Sequence, residues 1–304
     1  MKILKIGIIG LGNICEKAYL PAITSIEDIE IVFCTRNIDK LKKISKKYRI
    51  VEYTSSVDDL ISKNIDAAFV HTATESHAEI VEKLLKNNIH VYVDKPISYN
   101  YEDSIRLSNL AKKMNKIFMT GFNRRFAPMY SRLEGEGSPS IIKLEKNRLN
   151  SPKDPVVFIL DDFIHVIDTI RFLAKDKLEI LNVSGKKVNG LLHNLVVTLG
   201  NSNTTCIAMM NRDSGANEEV LEFYSPGTKV IVKDLADSTI LTNNIEEKLK
   251  FNDWDNILYR RGFEVIIKEF IKTIENNNQT NPTIDDALET HRLCNEILNK
   301  IDEI

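Results

Sequence analysis

The sequence predicts an α/β protein: a doubly wound parallel sheet first, then an α+β domain with a mostly antiparallel open sheet. Three observations carry that reading. An apolar, β-rich run from Leu4 to Ile9 leads into Gly10-Leu11-Gly12-Asn13-Ile14-Cys15 and then into a helical pattern. Strand and helix patterns alternate from there to Thr120. After Gly121 the alternation stops, and from Leu178 to Phe251 one strand signal follows another. Alternation implies right-handed crossovers and a parallel sheet; runs of strands imply an antiparallel one. The expected domains are therefore 1–121 and 122–304.

A chain of 304 residues is long enough for two such cores. Its 43% hydrophobic and 28% charged residues are ordinary for a globular protein. The formal net charge of -2 implies no polyanion partner. The basic stretch from Lys40 to Lys47 alternates with apolar residues, as a solvated helix face does, so nucleic acid is not expected as a partner. Cys15, Cys34, Cys206 and Cys294 show neither CxxC nor metal-ligand spacing. Reduced thiols in the cytoplasm and no metal are expected. No apolar run approaches the roughly 18 residues of a membrane span. The chain enters a strand pattern at once, which argues against a signal peptide.

Each element has its own signal. Strand, glycine turn and helix form the context that a GxGxxG fingerprint requires. Gly10 permits the tight turn, and Gly12 lets the backbone approach a pyrophosphate at the helix N-terminus. Cys15 replaces the third glycine but is small. The helix is expected over Ala18 to Ile26, with Pro21 near its start or at a kink. Glu30 to Thr35 is the second strand. A site that prefers NAD usually has an acidic residue near this strand's end; here Thr35-Arg36 suits a 2′-phosphate better. Arg36 also fits as a plain loop cap. Asp58 to Ser62 reads as helix, Ala67 to Val70 as strand and Ser76 to Lys86 as helix. In the loop between the last two, Thr72, Ala73, Thr74 and His77 are candidates to line a cofactor; His77 fits equally as a capped surface histidine.

Val91-Tyr92-Val93 is a short buried strand, and Asp94-Lys95-Pro96 follows. Proline has no N–H to donate and stops the ladder. Ligands of parallel sheets bind beyond the carboxyl ends of strands, which is where Lys95 lies. A strand exit with a solvated Asp-Lys pair fits the same six residues. A helix through Ile105, Leu107 and Ala111 and the strand Ile117 to Thr120 complete the half. Phe122 to Leu133 reads as a basic helix, Ile141 to Leu149 as a strand and Val156 to Leu160 as an apolar run. Next comes an amphipathic helix with Ile164, Ile167, Ile170 and Leu173 at helical spacing. Asp161 and His165 are four apart, on one face. A carboxylate beside an imidazole fixes its tautomer, as an acid/base histidine requires; a helix cap and a core histidine fit too. Asn189-Gly190 and Pro226-Gly227 are turns between strands. Arg261 to Ile274 and Asp285 to Ile301 close the chain as helices.

With these pieces placed, the chain resembles the Gfo/Idh/MocA oxidoreductases, in particular a virulence-factor-like subgroup. The motifs are Gly10-Leu11-Gly12-Asn13, Asp94-Lys95-Pro96, Gly121-Phe122-Asn123-Arg124-Arg125-Phe126, Asp161-x-x-x-His165-x-x-Asp168 and Asp285-Asp286-Ala287-Leu288 to His291. The resemblance implies a nicotinamide-binding Rossmann domain, and a second domain whose open sheet carries substrate and oligomer contacts. It implies a catalytic lysine at Lys95, with Pro96 often cis, an acid/base histidine at His165 and an orienting carboxylate at Asp161. Cofactor contacts are implied at Gly10, Gly12, Asn13, Ile14, Thr35, Arg36, Thr72, Ala73, Thr74, His77, Asp94, Lys95 and Asn123. Cys15 for Gly or Ala, Thr35 for Asp, the missing Asn-Pro after His71 and Phe163 for glycine depart from the family pattern.

The expected activity is an NAD(P)-dependent oxidoreductase, with a lean to NADP, acting on a hydroxyl or carbonyl of a sugar, cyclitol or polyol. A homodimer or homotetramer is expected. A non-catalytic dinucleotide sensor and a redox-assisted glycoside hydrolase are the alternatives.

Overall fold

The computed structural model describes residues 3–276 and 278–302. The chain divides into two compact units, Met1–Gly121 with Phe263–Leu288, and Phe122–Gly262 with Glu289–Ile304.

The first unit is built on β1 (Leu4–Ile9), β2 (Ile29–Cys34), β3 (Tyr53–Thr54), β4 (Ala67–Val70), β5 (His90–Val93) and β6 (Phe118–Thr120). All pairings are parallel, in the order β3-β2-β1-β4-β5-β6. This is the Rossmann order, with its switch point between β1 and β4. Helices cover both faces, so β4 is fully buried from Ala67 to Val70. Side chains start the flanking helices. Asn37 accepts from the Lys40 N–H, Ser56 from Asp58 and Asn100 from Glu102.

The first helix differs from expectation. The chain turns helical at residue 13, directly after Gly12, and Cys15–Tyr19 forms a wider π turn before the α-helical Leu20–Ile23. Pro21 is the cause: it has no N–H for the Lys17 carbonyl, and its ring crowds that carbonyl. Phe263–Leu288, expected within 122–304, groups with the first unit. Phe270 sets its ring edge-on to Phe69 and Tyr92, at 5.1 and 5.6 Å.

The second unit holds β7 (Ile141–Asn147), β8 (Glu179–Val188), β9 (Leu191–Gly200), β10 (Thr205–Asn211), β11 (Glu218–Ser225), β12 (Thr228–Lys233), β13 (Asp237–Thr242) and β14 (Ile245–Leu249). Their order is β14-β13-β12-β11-β7-β10-β9-β8. Only β7 and β10 pair in parallel. Asn189 and Gly190 take φ of 50° and 78°, which closes the β8–β9 hairpin. Ile142, Leu144, Val197 and Ala208 bury one face of the sheet, beneath the helix Ile164–Ala174.

Two stretches fold otherwise than their periodicity suggests. Phe122 to Leu133 breaks into the short turns Asn123–Phe126, Pro128–Ser131 and Arg132–Gly135. Pro128 holds Ala127 extended, at φ -71° and ψ 122°. The apolar run before Asp161 is a π turn, Val157–Phe163, leading straight into the helix of His165. Among the described residues, no helix is long and apolar enough to cross a membrane. All four cysteines are free and buried.

Candidate active site

In the first unit a cavity of about 410 Å³ opens at the switch point, lined by the loops after β1, β2 and β4. Its two glycines do different jobs. Gly10 takes φ +85°, and a Cβ there would stand 2.6 Å from the Thr72 backbone nitrogen, so the fold itself demands glycine. At Gly12 the only neighbour within 4 Å of such a Cβ is the His71 carbonyl oxygen, at 3.9 Å. The space beside Gly12 is therefore open, at the start of a helix whose Glu16 N–H already reaches the Gly12 carbonyl at 2.9 Å. A dinucleotide's pyrophosphate fits such a cradle.

The cavity collects Gly10, Gly12, Thr35, Arg36, Thr72 and Ala73 from the expected set. Lys40, Ser55, His71 and Glu79 line it as well. Sequence reasoning missed these four: Ser55 and His71 lie in loops, while Lys40 and Glu79 stand in the helices Ile38–Tyr48 and His77–Lys86, where a charge reads as solvated surface. Asn13, Ile14, Thr74, His77, Asp94 and Lys95 do not line it. His77 is 1% exposed, so it is no surface residue. Its ring nitrogens stand 2.9 Å from the Pro96 carbonyl and 3.2 Å from that of Thr72, tying two loops together.

Lys95 follows β5, and its peptide bond to Pro96 is cis. Asp94 accepts the Lys95 backbone N–H at 2.9 Å and the Tyr19 hydroxyl at 3.3 Å. The Tyr19 and Tyr92 hydroxyls are 3.1 Å apart. Burial raises the Asp94 carboxyl and pushes both phenols far up, so the tyrosines stay protonated donors. A Cβ on Gly121 would meet the Tyr92 and Tyr19 hydroxyl oxygens at 2.8 and 3.0 Å. The polar cluster thus explains that glycine. His71 lies 3.9 Å from the Tyr19 ring centre, and burial lowers its imidazole to about 3, keeping it neutral.

In the second unit Asp161 lies in the π turn and His165 in the first turn of the helix that follows. Between them Asp162, 7% exposed, gathers three cations. Arg148 donates Nε at 2.9 Å and Nη2 at 3.1 Å, Arg212 donates Nη2 at 2.7 Å, and Lys146 completes the set. Burial pushes the Asp162 carboxyl up, but Lys146 and Arg148 hold it well below the usual range. Burial, aided by Arg124 and Arg148, lowers Lys146 to about 7. Asp168, in the motif with His165, is bound bidentately by Arg125 at 2.9 and 2.6 Å and by the Thr290 hydroxyl at 2.9 Å. Asn123 donates to the Arg261 carbonyl at 2.8 Å, within the second unit. The cations around Asp162 were not singled out from sequence, although Lys146-x-Arg148 has the alternation of one strand face.

Comparison with known proteins extends this picture. Residues 4–122 match the sequence model of the Gfo/Idh/MocA oxidoreductase family, NAD-binding Rossmann fold. Residues 128–243 match the YceM-like C-terminal domain. YceM of Salmonella typhimurium, named as a candidate oxidoreductase, is 32% identical over 93% of this chain and 92% of its own. The chain belongs to the Gfo/Idh/MocA family. As a family member it is an oxidoreductase with an NAD-binding Rossmann domain. The crystal structure of the dehydrogenase MviM from Clostridium difficile superposes with a TM-score of 0.94 at 36% identity, covering 98% of this chain and 99% of that one. The myo-inositol 2-dehydrogenase of Thermotoga maritima is 29% identical over 58% of this chain and 56% of its own.

Proposed function

We propose that this Gfo/Idh/MocA protein moves a hydride between a nicotinamide cofactor and a hydroxyl/carbonyl carbon of a sugar, cyclitol or related polyol. The observation that carries the reading is the open cradle beside Gly12 at the switch point of a Rossmann sheet. The myo-inositol 2-dehydrogenase among the relatives supports the polyol class. The cofactor supplies the hydride chemistry when bound. The chain supplies position and protonation. The Gly10–Gly12 turn, with Asn13 and Ile14, holds the pyrophosphate. Thr35 and Arg36 hold the adenosine end and favour NADP, since both line the cavity.

His165 moves the proton of the reacting hydroxyl, and Asp161 orients it. Lys95 steadies negative charge on the substrate oxygen; Asp94 grips its backbone N–H, which supports a fixed position. Edge strands β8 and β14 expose Leu181, Val188 and Ile245, and β9 beside β8 exposes Leu191, which supports a homo-oligomer built on the second unit's sheet. Free, buried thiols support a reducing compartment, the cytoplasm.

Fluorescence titration of both reduced cofactors, followed by a polyol and sugar panel read at the nicotinamide absorbance, tests the reading. Tighter NADPH than NADH binding is expected, and Thr35→Asp moves the preference toward NADH by repelling the 2′-phosphate. Equal or tighter NADH binding removes the NADP preference, and light scattering that gives a monomer removes the oligomer.

A further inference from the structure

We propose that His77 works as an imidazolium, with both ring nitrogens protonated, and that this cation clamps the loop after β4 to the turn that bears Lys95. It is a positioning residue for the cofactor cavity and for the lysine together. The inference rests on the oxidoreductase reading and adds to it a residue that does not line the cavity.

His77 opens the helix His77–Lys86 and is buried. Its Nδ1 stands 2.9 Å from the Pro96 carbonyl oxygen, and its Nε2 stands 3.2 Å from that of Thr72. A carbonyl oxygen only accepts, so each contact needs an N–H on the ring. A neutral imidazole carries one N–H, and the imidazolium carries two. In either neutral tautomer one ring lone pair would face a carbonyl lone pair, and that buried carbonyl would lose its donor.

The surroundings suit a cation at this place. Burial pushes the Asp94 carboxyl up, and Lys95 and His77 draw it back down. Asp94 is thus the counter-ion that a buried imidazolium requires. Lys95 is half-buried, so water shares its charge. His71, at the other end of the same loop, cannot take the role. Burial, aided by the charge of His77, lowers it to about 3, and neither of its ring nitrogens is hydrogen-bonded among the described residues.

Both clamped segments serve the site. A Cβ on Gly10 would stand 2.7 Å from the His71 carbonyl oxygen and 2.6 Å from the Thr72 nitrogen. Thr72 and Ala73 line the cavity. This wall is therefore set against Gly10 at one peptide and held by His77 at the next carbonyl. In the other segment Asp94 accepts the Lys95 N–H at 2.9 Å, and His77 donates to the carbonyl one residue on. One ring thereby fixes the spacing between the cavity wall and the Lys95 turn.

Nitrogen-15 NMR of the histidine rings tests the charge, in the full chain saturated with NADPH or NADH, whichever binds tighter. His77 should show two ring N–H groups at neutral pH. Its signals are assigned by their loss in His77→Gln, or by ring-proton contacts with Thr72 and Pro96 if that variant fails to fold. Hydrogen exchange tests the clamp. His77→Gln has no charge and only one side-chain nitrogen. It should raise exchange about tenfold or more in residues 71–76 and 94–98 together, and weaken binding of the reduced cofactor about tenfold. A bare His77 ring nitrogen in the unsubstituted protein overturns the inference, as does exchange that rises in one segment alone or in neither. Two ring N–H groups and joint loosening, without hydride transfer on any polyol or sugar, support the inference and remove the polyol reading. Polyol oxidation by a protein whose His77 is neutral does the reverse.

Discussion

The Rossmann cavity and the charge cluster around Asp162 are built by opposite means. The cavity is shaped by backbone: a left-handed Gly10 pressed on Thr72, an open Gly12, and hydroxyls at Thr35 and Ser55. The second region is shaped by charge: Lys146, Arg148 and Arg212 on Asp162, and Arg124 on Glu219. Geometry of the first kind is insensitive to pH and salt. Charge of the second kind answers to both, and removing one member leaves its partner buried and unpaired. The comparison teaches that the two units should fail differently when mutated.

The largest effect belongs to chemistry. Lys95→Ala and His165→Ala should each cut turnover about 10² to 10⁴-fold while NADPH affinity and melting temperature hold. Asp161→Asn should cost less, and its combination with His165→Ala no more than His165→Ala alone, because groups acting as a unit are non-additive. A stable, cofactor-bound His165→Ala protein with normal turnover refutes the role.

Next comes the charged region. Glu219→Gln leaves Arg124 buried without its counter-ion and should destabilise the protein by about 3–5 kcal/mol in urea unfolding. Burial raises the Glu219 carboxyl, but Arg124 overcomes this and draws it from 4.5 down to about 2. A carboxyl lowered in the folded state stabilises above its ordinary pKa. That stability should drain away as pH falls from 4.5 toward 2, and Glu219→Gln should flatten the profile.

The glycines sharpen the contrast. Gly10→Ala should lower stability by about 1–3 kcal/mol, through left-handed strain and the contact with Thr72. Gly12→Val should leave melting temperature near normal yet abolish cofactor binding. Reversal of that pattern would mean that the open space beside Gly12 is not the cradle.

The smallest effect is at Lys146. Burial lowers its ammonium from 10.5 to about 7, so between those values the unfolded chain binds the extra proton. Stability should therefore rise with pH across that window relative to Lys146→Met. Thermal melts of the two proteins at matched pH measure it, and parallel profiles would show that Lys146 titrates normally.

Local pattern was enough for some features and not for others. The parallel half, the Asn189-Gly190 hairpin, the glycine turn and the strand that ends at Asp94-Lys95-Pro96 were legible because each depends on neighbours in sequence: hydrophobic period, a φ only glycine tolerates, a missing N–H. The π turns at Cys15–Tyr19 and Val157–Phe163 were not, since helical spacing of 3 or 4 does not show which carbonyl finds which donor. His77 read equally well as surface or as lining until its ring was found between the Pro96 and Thr72 carbonyls. Phe263–Leu288 follows the second domain in sequence, yet its aromatics pack with the first unit. The charge cluster joins Lys146 and Arg148, alternate residues of one chain segment, to Asp162 and Arg212, which no spacing rule connects to them. Sequence by itself determined the turns, the strands and the fold class, whose energies are local. Only the tertiary structure decided which buried charges share a counter-ion, because burial and pairing are set by what packs from elsewhere in the chain.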